Sequence, residues 1–111
     1  MGVAIDLYLK EYVEKLRISV DGVAGIESSK SGFYRNEVGG VACVSFYPEE
    51  VDLTIEIDGD DDFYSMTVDL VRQSGAIVIG DIFKFKGKGG GLRLGLDNIF
   101  FDLVKLISSH L

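Results

Sequence analysis

The stretch Val51-Asp52-Leu53-Thr54-Ile55-Glu56-Ile57-Asp58 alternates apolar and polar residues without a break. A period of two puts Val51, Leu53, Ile55 and Ile57 on one face of a β-strand and Asp52, Thr54, Glu56 and Asp58 on the other. A helix would scatter both sets around its circumference, so the pattern predicts a strand with one buried and one wet face. Gly59 to Asp62 supplies turn residues, after which Phe63 to Val71 alternates again. If that four-residue turn closes symmetrically, Ile57 faces Tyr64, Ile55 faces Met66, Leu53 faces Val68 and Val51 faces Leu70, and every pair is apolar. The same register sets Glu56 against Ser65, Thr54 against Thr67 and Asp52 against Asp69 on the outer face. Two carboxylates directly across a ladder repel, a conflict that solvent, a cation or a basic partner would relieve.

Working upstream, Pro48-Glu49-Glu50 reads as a turn preceding this hairpin, and Val41 to Tyr47 as the strand before it. Gly39-Gly40 tolerates the positive φ of a tight hairpin and would join that strand to Phe33–Val38. Extending the register places Phe46 and Val44 on the same face as Asp52 and Glu56, with Phe63 and Val78 nearby. Downstream, Arg72 to Gly75 forms another turn and Ala76 to Lys86 the last long strand. In that strand, alternation through Ile77, Ile79, Phe83 and Phe85 would bury Asp81, unless a bulge at Gly80 re-aims it.

The flanks carry helical periods. Ile5, Leu9, Tyr12 and Leu16 line one side of an amphipathic helix over Val3 to Arg17. Between Ile18 and Gly32 the chain has turn chemistry, read either as a small hairpin closed by Asp21-Gly22 or as irregular structure. Gly87 to Gly91 reads as a flexible connector, Asp97 as an N-cap and Asn98 to Ser109 as a second helix. A flexible glycine run would let that last helix swing or exchange between protomers. The fold class expected is therefore α+β: an amino-terminal helix, a five-stranded antiparallel meander and a carboxy-terminal helix packed on one face of the sheet.

The 111 residues, with 47% apolar and 26% charged, suit one compact domain spanning 1–111. A net charge of −7 and a pI near 4.5 argue against direct nucleic-acid binding, which needs clustered Lys and Arg. The lone Cys43 stands in an apolar run and reads as a buried, reduced thiol. With neither a secretory leader pattern nor a membrane-length apolar run in view, the expected compartment is cytoplasmic.

Chemical motifs are weak. Asp58, Asp60, Asp62 and Asp69 fall at positions one, three, five and twelve of a calcium-loop template, yet Phe63 stands where the template needs Gly. The glycine run with Lys86 and Lys88 fits neither a Walker nor a dinucleotide pattern. His110, the only histidine, sits one residue from the end beside Ser108 and Ser109, which make no triad. Asp52 and Asp69 as an acid–base pair would lack a cleft. No catalytic residue, metal ligand or cofactor is assigned.

The charge map carries the functional expectation. No Lys or Arg occurs between Arg35 and Arg72, whereas carboxylates crowd that interval. Asp52, Glu56, Asp58, Asp60, Asp61, Asp62 and Asp69, with Phe46 and Phe63 as aromatic anchors, form the candidate partner-binding surface. The function expected is a protein-binding module of the inhibitor or immunity type, masking a basic protein partner such as a nuclease toxin. The alternatives are a self-associating homodimer built on the outer apolar residues and the hinged last helix, and a small metal-assisted enzyme. The plainer account is a solvated sheet face with Phe46 and Phe63 covered by a helix.

Overall fold

The alternation around Ile55 is realised in the central strand of an antiparallel sheet. The computed structural model describes residues 3–22, 26–35, 37, 39–60 and 63–111. Helix α1 (Val3–Val20) leads into β1 (Ser28–Arg35), β2 (Gly39–Tyr47), β3 (Val51–Asp60), β4 (Phe63–Arg72) and β5 (Ile77–Lys88), and α2 (Gly89–Ser109) closes the chain. The five strands lie in chain order, a simple meander. This is the α+β arrangement that the two periodicities predict.

Both helices pack on one face, α1 against β1 and β2 and α2 against β4 and β5. Beneath them lie Val51, Leu53, Ile55 and Ile57 of β3, Ala42, Val44 and Phe46 of β2, and Tyr64, Met66, Val68 and Leu70 of β4, all buried. Each large aliphatic side chain so covered stabilises the fold by about 2 kcal/mol relative to exposure. Leu9, Val13, Leu16 and Val20 of α1 and Leu92, Leu96, Leu103 and Ile107 of α2 close this core from above. The two helices are also tied together by polar contacts. The buried Tyr12 hydroxyl donates to Leu96 O at 2.6 Å, and the Tyr8 hydroxyl lies 2.5 Å from Asp97 Oδ1.

Several sequence expectations are corrected here. The β3–β4 hairpin is displaced by two residues: Ile57 pairs with Met66, Ile55 with Val68, Leu53 with Leu70, Glu56 with Thr67 and Asp58 with Ser65. Asp52 therefore faces Val71, and Asp69 faces Thr54, so the expected carboxylate pair is not formed. Between β2 and β3 the pair next to the turn is Phe46 with Val51 rather than Tyr47 with Val51, so four residues rather than three separate the paired positions. That one-residue difference inverts β2, and Phe46 and Val44 lie in the core with no exposed surface instead of on the acidic face. The turn is closed by Glu50 with φ +57, and Glu50 O accepts from Gln73 N–H at 2.8 Å.

Gly39 and Gly40 belong to β2 and not to a turn. A Cβ on Gly39 would stand 2.0 Å from Ile57 O, and one on Gly40 would stand 2.6 Å from the Phe33 ring. Close approach between neighbours is what requires glycine here. β1 begins at Ser28, inside the stretch read as a loop, and α1 continues to Val20, which excludes a hairpin starting at Ile18. α2 starts at Gly89, so the glycine run is its first turn rather than a hinge, and Asp97 is an interior residue. Positions equivalent to Cβ on Gly91 and Gly95 lie 3.1 and 3.2 Å from the Phe85 and Phe83 rings, so bare helix backbone rests on these two aromatics.

The α1–β1 seam is polar. Ser31 Oγ donates to Glu14 Oε2 at 2.5 Å, Arg17 donates to the same carboxylate, and Arg35 pairs with Asp6 at 3.1 Å. Hydrogen bonds from Arg17 and then Ser31 hold the Glu14 carboxyl down at about 2. A carboxyl depressed on folding contributes stability above its unfolded value, near 4.5, and loses it as pH falls towards about 2. Glu14 is partly exposed, so solvent screening keeps the effect modest. Glu14→Gln should therefore lower the urea midpoint at pH 7 and flatten its fall between about pH 4.5 and 2. Gly39→Ala should destabilise by about 1–3 kcal/mol through overpacking. Gly22→Ala, with nothing within 4 Å, should leave the urea midpoint unchanged or raised.

Candidate functional site

The second face of the sheet is covered by neither helix. Along β3 it carries Asp52, Thr54, Glu56 and Asp58, with Glu56 and Asp58 exposed. Beside them on β4 stand Phe63, Ser65, Thr67, Asp69 and Val71, and on β2 stand Gly39, Val41, Cys43 and Ser45. Lys84, Lys86 and Lys88 of β5 pair with Thr67, Ser65 and Phe63. The face is thus ordered in columns: acids on the central strand, hydroxyls next to them, lysines on one edge. Strand spacing puts the backbone of the lysine column about 10 Å from that of the acidic one. Among the described residues no ion pair engages Glu56 or Asp58.

At the start of β2 a depression of about 260 Å³ opens on this face, lined by Gly40, Val41, Glu56, Asp58, Ser65 and Thr67. Two carboxylates on its β3 wall face two hydroxyls on its β4 wall, each hydroxyl both donor and acceptor. The site is suited chemically to a cationic side chain that brings several N–H donors to a pair of carboxylates.

The expected partner-binding residues separate into groups. Asp52, Glu56, Asp58, Asp69 and Phe63 share the open face, and Phe63 is 49% exposed. Phe46 lies in the core on the opposite side. Asp61 and Asp62 lie outside the described residues, as does the side chain of Asp60. Asp52 Oδ1 accepts from Gln73 Nε2 at 3.0 Å.

Asp69 has a local role that alternation alone did not reveal. β5 bulges opposite it, with register shifts between Val68 and Leu70 and between Leu70 and Val71. At the bulge Asp81 takes φ +52, its backbone N–H donates to Asp69 Oδ1 at 2.7 Å, and its carboxylate meets Lys84 at 3.4 Å. Asp81 is thereby re-aimed to solvent instead of the core, the outcome that Gly80 in the strand foreshadows.

Elsewhere, burial raises the Tyr8 and Tyr12 hydroxyls, and for Tyr8 the hydrogen bond to Asp97 adds to it, so both stay protonated as donors. Burial also pushes the Cys43 thiol up, consistent with an unreactive cysteine on the half-covered centre of the sheet. His110 caps the end of α2, with its N–H donating to Ile107 O. Among the described residues no group of three or more His, Cys, Asp or Glu is placed to hold a metal ion, and no helix is long and apolar enough to cross a membrane.

Fold and site together define an α+β domain with a one-sided core and a charge-ordered open sheet. Comparison of the chain with protein-family models, with curated proteins and with solved structures finds no match in any of the three.

Asp69→Ala should leave the Asp81 N–H without its acceptor and cost about 1 kcal/mol, whereas Asp69→Asn, which keeps Oδ1, should cost less than half as much in equilibrium urea unfolding.

Proposed function

We propose that this protein is a protein-binding module of the inhibitor or immunity type, engaging a basic protein partner through the open face of its sheet. The observation that supports this best is the depression at Gly40 and Val41, where Glu56 and Asp58 stand exposed and, among the described residues, without an ion-pair partner. An Arg or Lys of the partner entering there meets two carboxylates and the Ser65 and Thr67 hydroxyls. Phe63 supplies an apolar contact at the end of the same face. The overall charge of −7 adds long-range attraction for a cationic protein, while the β5 lysines set the orientation in which such a partner settles. A nuclease toxin, whose active site must attract phosphate, is the class of partner that these features fit.

The test is recovery of partners from native lysate by the tagged chain at low and moderate salt, in parallel with a Glu56→Lys, Asp58→Lys double variant. The expected result is a basic protein retained by the wild type, associating more slowly as salt rises, and lost with the double variant although the latter stays folded by circular dichroism. Retention of the same proteins by both forms would contradict the proposal.

A further inference from the structure

The acidic column of the open face has different neighbours on its two sides. Towards β5 stand Lys84 and Lys86, in register with Thr67 and Ser65. Towards β1 the register sets Val41 opposite Glu56 and Tyr34 opposite Val41, so Tyr34, Val41 and Glu56 form one row on the same face. Phe46 is lost to the core, and Tyr34 is the aromatic residue that β1 supplies to the face in its stead. It is 70% exposed. A Cβ on Gly32 would stand 3.4 Å from the Tyr34 hydroxyl, so the ring lies along the sheet surface rather than standing off it. Arg35, the next residue, leaves β1 on the helix side, where it pairs with Asp6.

From this arrangement we infer that the partner docks on the β1 side of the face and that the residue it sends there is an arginine, with its guanidinium on Glu56 and Asp58 and its stem across Val41 against Tyr34. The inference rests on the reading of the open face as a binding surface for a basic protein, and it adds where on that face the partner sits and which cation it uses. Charge decides the side. A cation drawn to the acidic column meets like charge from Lys84 and Lys86 on the β5 side, whereas on β1 and β2 the described cation of this face, Lys30, stands four residues along the strand from Tyr34.

The row decides the residue. Tyr34 and Glu56 are two strand spacings apart, about 10 Å between their backbones, a span that a long side chain and the Glu56 carboxylate cover between them. Methylenes lying over Val41 bury apolar surface while the charged head stays at the carboxylates. Arginine suits these surroundings better than lysine, because its planar fork meets carboxylates with two N–H groups and its weakly hydrated plane rests on aromatic rings. The same face already joins a tyrosine to a cation: Lys30 holds its ammonium 5.8 Å from the centre of the Tyr47 ring at the other end of β1. Among the described residues no cation stands over Tyr34.

The test titrates hexaarginine and hexalysine, peptides of equal charge, into the isotope-labelled chain and follows its NMR signals. Both peptides should move the Glu56 and Asp58 amide signals, and hexaarginine should bind more tightly and also move the Val41 methyl and Tyr34 ring signals. Tyr34→Ala, at an exposed position and with circular dichroism unchanged, should weaken hexaarginine about two- to fivefold and leave hexalysine nearly as it was. Tyr34→Phe, which keeps the ring, should retain the preference for arginine. Equal effects of Tyr34→Ala on the two peptides, or no effect on either, would overturn the inference while the open face still counts as a surface for basic partners. Glu56 and Asp58 signals that stay in place with both peptides would remove that reading, and the inference with it.

Discussion

Val51, Leu53, Ile55 and Ile57 leave the central strand on one side, and Asp52, Thr54, Glu56 and Asp58 leave it on the other. This one-sidedness constrains everything else. A sheet whose middle strand is carboxylate-rich on one face cannot be sandwiched between helices without burying unpaired charge, a far larger cost than any packing gain. Both helices are therefore confined to the apolar face, where they share the core and are clamped to each other by Tyr8 and Tyr12. The second face is open because the first is the only one a helix can cover.

Where this constraint is strong the sequence was legible, and where it is silent the sequence misled. The strands β3 and β4 and the identity of their buried sides follow from alternation alone. Their register does not, because a displacement of two residues returns every side chain to the same face. Pairing Ile57 with Tyr64 or with Met66 satisfies the hydrophobic pattern equally well, and the choice fell to the turn and to Gly59. A Cβ on Gly59 would stand 2.2 Å from the Tyr64 ring, so that ring lies across a glycine that has to be there. In β2 the run Val41-Ala42-Cys43-Val44 is apolar on both sides, and alternation could not say which side faced inwards. A turn one residue longer inverted the strand and carried Phe46 from the expected binding surface into the core.

The two ends show how tertiary contacts override local preference. Ser28 to Gly32 has no apolar periodicity and reads as a loop, yet it is held as a strand by the β2 backbone and by Ser31 bound to Glu14. Gly89 to Gly91 has the poorest of helix propensities short of proline, yet opens α2. The Phe85 and Phe83 rings lie so close to the helix that side chains at Gly91 and Gly95 would be crowded, so glycine contributes fit where it forfeits propensity. Of the candidate site, the acidic column on β3 was visible in advance. The lysine column of β5 and the hollow beside Gly40 were not, because both arise from pairing between distant segments.

The sidedness of β2 and the openness of the sheet stand or fall together, and relaxation of methyl signals by a soluble gadolinium chelate measures both. The Val41, Thr54 and Thr67 methyls should be attenuated strongly while those of Val44, Ile55 and Val68 are spared. Protection of Val41 together with attenuation of Val44 would place β2 in the opposite register, and protection of all six would mean that the second face is covered.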